Sequence, residues 1–242
     1  MATLVVVSGV PNSRALENAL DSFSVARPEH PIQIVAPRDL AEKSRFHSNG
    51  RIRPHTELAA SKSPPDYLVL YRPHGRGYGG RSVPTVVTDC RPFVRKLNRH
   101  NPALAARLRA ERLNFFVPDL PPYACEEGQS EYRFHFVEGP PSDPIIRYSY
   151  GILWHRSFDK RHGPIVSDLP PATDESLAAQ LCREFELYSL RSGVPVALRS
   201  GEALIVRNHV AAHSRPPIPP DAGFRRLYRY LRWSDGRAGW AL

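Results

Sequence analysis

The sequence predicts a mainly β protein in which a jelly-roll barrel is surrounded by peripheral helices. Short apolar or alternating segments recur along its 242 residues, and 25 prolines with 15 glycines favour short elements joined by turns. The helical segments fall before and between the strands, which suits helices packed outside a barrel. No Gly-x-Gly-x-x-Gly follows the first apolar strand, which disfavours a dinucleotide-binding α/β fold. We expect a single domain over residues 1–242, because β barrels of this length are often one domain.

The N-terminal half is predicted to mix strands and helices. Residues 4–7 form an apolar run typical of a buried strand, and Ser13 is predicted to cap a helix with apolar residues at helical spacing. Glycine-rich residues 73–80 lack the Lys-Ser/Thr pair of a phosphate-binding loop, so we expect either an active-site lid or an ordinary loop. The other elements expected in this half are strands at 32–36, around His55, at 66–71 and at 83–88, and helices at 37–45, 91–98 and 102–113.

The C-terminal half is predicted to be rich in strands, with one long helix. Thr173 is expected to cap that helix and Gly193 to end it, because an apolar stripe at helical spacing lies between them. The strands expected in this half are at 132–137, 145–150, 194–198, 204–206 and 227–233.

The composition excludes several classes of protein. The net charge is +9, but 29 of the 33 basic residues are arginines and they are scattered among acids, so we expect no nucleic-acid partner. Cys90, Cys125 and Cys182 are too widely spaced for a zinc ribbon or a disulfide framework, which favours a reducing cytoplasm. Residues 1–7 lack the charged start of a signal peptide, and no apolar stretch approaches the roughly 20 residues of a membrane helix.

One short motif suggests a metal site. On an extended strand, residues two apart share a face, so His55 and Glu57 could bind one ion together. His213, far along the chain, is the best candidate for a third ligand. Two histidines and one carboxylate form the facial triad of non-haem Fe(II) oxygenases. The alternative for His55 and Glu57 alone is a polar pair on an exposed strand edge, because a lone His-x-Glu arises by chance in a chain of this composition.

Two segments resemble one known family. In residues 201–215, a Gly-Glu turn and an apolar strand precede Asn208, and His213 is followed by Ser214-Arg215. This pattern is similar to the distal-histidine segment of Fe(II)/2-oxoglutarate-dependent dioxygenases of the clavaminate synthase-like and taurine dioxygenase-like group. Upstream, residues 53–89 resemble the amino-acid hydroxylases of that group, which use His-x-Glu. The resemblance implies a double-stranded β-helix core, with Fe(II), the cosubstrate 2-oxoglutarate and O2.

The resemblance also implies roles for single residues. Arg225 matches the family arginine that binds the far carboxylate of 2-oxoglutarate, for which a planar guanidinium is suited. A register error of one residue in the last strand would give that role to Arg226 instead. Thr85 matches a residue that hydrogen-bonds the same carboxylate. Arg229 and Arg147 are predicted to contact the substrate, and no catalytic residue is predicted beyond the metal ligands.

The leading functional hypothesis is an oxygenase that attacks an unactivated C–H bond and releases succinate and CO2. Its expected substrate is a small polar precursor of bacterial specialised metabolism, such as an amino acid or an antibiotic precursor. An acidic carrier protein that presents the substrate would suit the positive net charge. Two alternatives stay open at this point: a zinc hydrolase using the same His, Glu and His with a metal-bound water, and a non-catalytic basic binding module.

Overall fold

The computed structural model describes residues 2–26, 33–35, 51–74, 83–116, 131–155, 169–219 and 227–234. Their strands are β1 Leu4–Val7, β2 Ser24–Val25, β3 Gln33–Val35, β4 Ile52–His55, β5 Tyr67–Arg72, β6 Thr85–Asp89, β7 Leu113–Phe116, β8 Glu131–Phe134, β9 Val137–Glu138, β10 Ile145–Ile146, β11 Val194–Val196, β12 Glu202–Arg207, β13 Ala211–Arg215 and β14 Leu227–Ser234. Their helices are α1 Ser13–Asp21, α2 Cys90–His100, α3 Pro102–Ala110 and α4 Leu177–Ser192, with a π-helical turn at Gly151–His155.

Two antiparallel sheets make up the barrel. The larger has the strand order β1-β12-β5-β14-β2, with β3 also paired to β14, and the smaller has the order β11-β6-β13-β4. Two short hairpins, β7–β8 and β9–β10, accompany them. The prediction of a mainly β protein with peripheral helices is therefore confirmed.

The barrel core lies between the two sheets. Along β5, Leu68 and Leu70 face the core and contact residues of both sheets, including Val87 of β6. The alternate residues Val69 and Tyr71 face outward and pack beneath helix α1. Strand β5 therefore buries both of its faces, which explains its continuously apolar sequence.

The outer face of the smaller sheet is covered by helices α2, α3 and α4. Ala212 of β13 packs against the cluster that contains Phe93 of α2 and Phe185 of α4. The hydroxyls of Thr88 on β6 and Ser189 on α4 lie 2.8 Å apart in a buried hydrogen bond. The helices cover this outer face. The inner face, toward the barrel, is therefore the face of the smaller sheet that can carry a ligand site.

Several predicted element ends were wrong, among them the end of the strand expected at 145–150, which stops at Ile146. Asn12, not Ser13, caps α1 by accepting a hydrogen bond from the backbone N–H of Ala15. Ser176, not Thr173, caps α4, because residues 171–175 form a turn before the helix begins. The helix expected to reach residue 113 ends at Ala110, since Leu113 pairs with Phe134 as the first residue of a strand.

Several predictions fall outside the described residues. They are the helix at 37–45, the glycine-rich residues 75–80, Cys125, Arg225 and Arg226. The extent of the single domain stays a prediction. Among the helices that are described, none has both the length and the apolar composition needed to cross a lipid bilayer.

Candidate metal centre

The structure brings the three predicted ligands together. Oε1 of Glu57 lies 3.3 Å from Nε2 of His213 and 3.8 Å from Nε2 of His55. The two imidazole rings lie with their centroids 4.1 Å apart. All three side chains are buried. Residues more than 150 positions apart in the chain thus present three potential ligand atoms within 4.8 Å of one another.

A β-bulge in β4 aims His55 into the barrel. His213 pairs with His55 while Arg215 pairs with Ile52, so β4 has one residue more than β13 between the two pairs. Pro54 lies in this extra segment, where the missing N–H of proline removes no ladder hydrogen bond. As a result, Ile52 and His55 both line the cavity, although they are three residues apart.

Glu57 lies in a turn, so the prediction that it shares a strand with His55 was wrong. Strand β4 ends at His55, and only Thr56 continues the extended pairing, through a 2.7 Å bond from its N–H to the carbonyl of Tyr148. The backbone N–H of Glu57 donates instead to the side chain of Asn208, at 2.7 Å. The carboxylate still reaches the histidines because Thr56 keeps the chain extended up to the turn.

Hydrogen bonds orient the two ligands of this segment. Nδ1 of His55 lies 2.9 Å from the carbonyl oxygen of Arg53, so Nδ1 carries the proton and Nε2 presents its lone pair to the centre. Nη1 of Arg229 donates to Oε2 of Glu57 at 2.8 Å. Burial alone would raise the pKa of Glu57, but the charge of the Arg229 guanidinium holds the pKa well below its usual range. Glu57 is therefore a carboxylate, with Oε1 left toward the histidines.

This arrangement fits a metal ion. Oε1 of Glu57 is buried and accepts no hydrogen bond from the described residues, which is costly for a charged oxygen unless a cation binds it. Ligand atoms about 2.1 Å from one ion lie about 3 to 3.5 Å from one another, close to the separations found here. Two imidazole nitrogens and one carboxylate oxygen leave coordination positions open for other ligands, as in non-haem iron sites.

The ligands open onto a cavity whose lining contains further polar groups. Arg215, Thr85 and Arg229 line it together with the apolar side chains of Leu70 and Leu227. Arg215 lies two residues beyond His213 on β13, and Thr85 lies two residues from Val87, the partner of His213 on β6. Two residues of strand span about 7 Å. Arg215 and Thr85 thus form a neighbouring pair about one such step from the metal ligands.

Arg215 is a candidate site residue that no role had been predicted for. It is 4 % exposed, and this burial lowers the pKa of its guanidinium to about 10. The sequence contains two signals for it: Arg215 lies two residues from His213, and residues two apart on a strand share a face; it also belongs to the His213-Ser214-Arg215 segment that resembles the family.

The other predicted residues have different settings. Arg229 lines the cavity and is bound to Glu57, while its substrate contact stays a prediction. Arg147 is 2 % exposed and donates to Oε2 of Glu138 and to the carbonyls of Ala59 and Ser61. It thereby holds the turn that follows the metal ligand Glu57, and it is not among the described residues that line the cavity. Its substrate contact also stays a prediction.

The fold and the site together define a class of protein: an antiparallel double-sheet barrel with a two-histidine, one-carboxylate centre between its sheets. The chain belongs to the family described as "Taurine catabolism dioxygenase TauD, TfdA family", whose sequence profile matches residues 3–231. This is a family of non-haem iron, 2-oxoglutarate-dependent oxygenases, so the predicted family and the predicted class of enzyme are confirmed. No curated protein sequence matches the chain significantly.

Solved structures share the fold at low sequence identity. An asparagine oxygenase in complex with Fe(II), 2S,3S-3-hydroxyasparagine and succinate is 18% identical, with a TM-score of 0.66 over 95% of this chain and 74% of that one. The non-haem iron oxygenase OrfP with Fe and α-ketoglutaric acid is 17% identical, with a TM-score of 0.64 over 98% and 76%. In two further matches this chain spans only 58% and 55% of the other chain. The predicted jelly-roll core is confirmed by these similarities.

Proposed function

We propose that this protein uses Fe(II), 2-oxoglutarate and O2 to hydroxylate an unactivated C–H bond of a small polar molecule, with a free amino acid as the first candidate. The observation that carries the proposal is the convergence of His55, Glu57 and His213 on one buried point beside a cavity that also contains Arg215 and Thr85. In the balanced reaction, substrate, 2-oxoglutarate and O2 give hydroxylated substrate, succinate and CO2.

Each residue of the candidate site has a specific role in this proposal. His55, Glu57 and His213 would hold the iron, and Arg229 keeps Glu57 ionised and turned so that one oxygen faces the metal. When bound, the iron with its cosubstrate supplies the oxidising power for the C–H bond. The paired positions of Arg215 and Thr85 offer a cation and a hydroxyl for the far carboxylate of 2-oxoglutarate. Arg225, or Arg226 in the other register, is proposed for the same carboxylate.

The substrate class rests on the structural neighbours. One is named an asparagine oxygenase and was solved with hydroxyasparagine and succinate, and another, OrfP, was solved with succinate and (3S)-hydroxy-L-Arg. These substrates belong to those proteins, and they make amino acids the first compounds to test here. A carrier-bound substrate is the second possibility, supported only by the net charge of +9. We also propose a cytoplasmic location, in keeping with the free, buried thiols of Cys90 and Cys182.

Of the three functions that the sequence left open, family membership favours the oxygenase over the zinc hydrolase and the binding module. The test is succinate release from 2-oxoglutarate by the iron-loaded protein in the presence of each common amino acid, with product analysis for one added oxygen atom. Glu57→Ala is the matched control, because it removes one ligand at the same site. Substrate-dependent succinate in the wild type and none in the control is the expected result. Metal-dependent hydrolysis that needs no 2-oxoglutarate would overturn the proposal.

A further inference from the structure

The backbone beside the metal ligand Glu57 is held by a side chain. Glu57 lies past the end of β4, where none of the described strands pairs with it. Its N–H donates to Oδ1 of Asn208 at 2.7 Å, and its carbonyl accepts from Nδ2 of Asn208 at 3.0 Å. The amide of Asn208 therefore bonds both backbone groups of Glu57, as a neighbouring strand would.

An asparagine is chemically suited to this position. Nδ2 also donates to the carbonyl of Pro65 at 2.9 Å, so the side chain makes one accepted and two donated hydrogen bonds. Only one orientation of the amide satisfies all three, because an N–H needs an acceptor and two carbonyls need a donor. Asn208 is 1 % exposed, so water does not reach these groups easily. A residue without both a donor and an acceptor would leave at least one of them unsatisfied.

The turn that Asn208 holds has a backbone that needs support. Leu58, directly after Glu57, has a φ of 51°, in the left-handed region that a leucine rarely adopts, and it is buried. The backbone N–H of Asn208 donates to the carbonyl of Asp66 at 2.8 Å, which fixes Asn208 itself. Asn208 also lies five residues before His213, between β12 and β13. One residue thus connects the turn with the carboxylate ligand to the strand with the distal histidine.

We infer that Asn208 is a positioning residue of the metal centre: its amide fixes the backbone of Glu57 so that Oε1 meets the two histidines. This inference rests on the proposed function for its metal. Partners that orient a metal ligand typically contribute about 10- to 100-fold to metal affinity. Loss of the amide frees the peptide units on both sides of Glu57, so the carboxylate loses its fixed place opposite His55 and His213.

The test measures metal affinity of the folded protein, not turnover. Apo-protein is titrated with Co(II) against a competing chelator for the wild type, Asn208→Ala and Asn208→Ser, and folding is followed by circular dichroism. Asn101→Ala is the matched control, because the Asn101 side chain also accepts a backbone hydrogen bond, from Leu104 at the start of α3, but has no contact with Glu57. We expect a loss of about 10- to 100-fold in Co(II) affinity for Asn208→Ala. A smaller loss is expected for Asn208→Ser, because the space left by the shorter side chain can hold a bridging water.

The outcomes separate this inference from the proposed function. A folded Asn208→Ala with wild-type Co(II) affinity would show that Asn208 only stabilises the fold. If Asn208→Ala does not fold, the Co(II) affinity of Asn208→Ser is compared with the wild type instead, and a wild-type affinity leads to the same conclusion. An affinity loss in Asn101→Ala as large as that in the Asn208 variants would equally overturn the inference. If the wild type itself binds no Co(II), the proposed metal centre fails, whatever the variants do.

Discussion

Oε2 of Glu57 lies 2.8 Å from Nη1 of Arg229, and both side chains are buried. This contact gives the carboxylate a counter-charge and turns Oε1 toward His213, 3.3 Å away. Glu57 therefore has one oxygen for the guanidinium and one for a metal ion. We expect this ion pair in the metal-free protein and in the metal-loaded one, so its effect on stability can be measured in each state.

Arg229→Ala should destabilise the metal-free protein by about 3 to 5 kcal/mol, because removing one partner leaves the other charge buried and unpaired. A bound metal ion supplies another positive charge to Glu57, so the loss should be smaller in the loaded protein. The measurement is urea unfolding of the chelator-treated protein with and without Co(II). Equal losses in both states would show that Arg229 does not share the carboxylate with a metal.

Each of the three metal ligands should be necessary for metal binding. His55→Ala, Glu57→Ala and His213→Ala should each lose most Fe(II) affinity, because two remaining ligands hold the ion weakly. The fold should survive, since the barrel core between the sheets does not include these residues. Stabilisation of the protein by Fe(II) in anaerobic thermal unfolding measures this. Full stabilisation of His213→Ala would remove His213 from the ligand set.

Binding of 2-oxoglutarate through its far carboxylate should depend on arginine side chains. Removing one partner of a desolvated charge pair costs about 2 to 5 kcal/mol, or roughly 30- to several-thousand-fold in affinity. Arg225→Ala and Arg215→Ala should each weaken 2-oxoglutarate binding, with Arg225→Lys intermediate because lysine keeps the charge but not the planar fork. Fe(II) affinity without the cosubstrate should change little, since neither arginine is a ligand.

Arg226→Ala is the control for register, and its effect should be mild. A large loss of 2-oxoglutarate affinity in Arg226→Ala, with Arg225→Ala unaffected, would show that Arg226, and not Arg225, binds the far carboxylate. A wild-type affinity in Arg215→Ala would show that the guanidinium inside the cavity serves another purpose.

A buried ion pair between β4 and α4 should stabilise the fold. Glu186 on α4 is fully buried and accepts from Nη1 of Arg53 at 2.8 Å. Burial raises the pKa of Glu186 above its usual value, and the Arg53 guanidinium offsets only part of this rise. Glu186→Gln should destabilise the protein by about 3 kcal/mol, because the charge of Arg53 would lose its partner. Urea unfolding measures this, with the exposed Glu184→Gln on the same helix as the control. Equal stability of both variants would show that the pair contributes nothing.

The parts of the fold that repeat a simple pattern were predictable. Strand β5 was recognised because both of its faces are apolar, and the His55–Glu57–His213 set was recognised from residue type and family likeness. Strand β13, which contains His213, is harder to predict. All five of its residues are buried, polar and apolar alike, so no alternation of polar and apolar residues marks it in the sequence. Strand β7 is not among the predicted strands, and its first residue, Leu113, is predicted to end the preceding helix because it continues the helical spacing.

The local geometry of the metal centre was not predictable from the sequence. A spacing of two residues between His55 and Glu57 fits a strand, but it also fits a strand that ends in a turn. The bulge at Pro54, the turn at Leu58 and the support from Asn208 depend on contacts with residues about 90 to 160 positions away. Such contacts leave no periodic signal. Residue type and family resemblance therefore indicate the three candidate ligands, but not the way in which they are held.

We propose above that His55, Glu57 and His213 hold an iron ion that also binds 2-oxoglutarate. The most direct measurement is an anaerobic titration of the apo-protein with Fe(II) and then 2-oxoglutarate, observed by visible absorption. The wild type should develop the metal-to-ligand charge-transfer band of chelated 2-oxoglutarate, with one equivalent of each. Glu57→Gln, which keeps the shape but loses the anion, should show the band only at much higher Fe(II). If the wild type lacks the band, or if Glu57→Gln titrates identically, then His55, Glu57 and His213 do not hold an iron ion that binds 2-oxoglutarate.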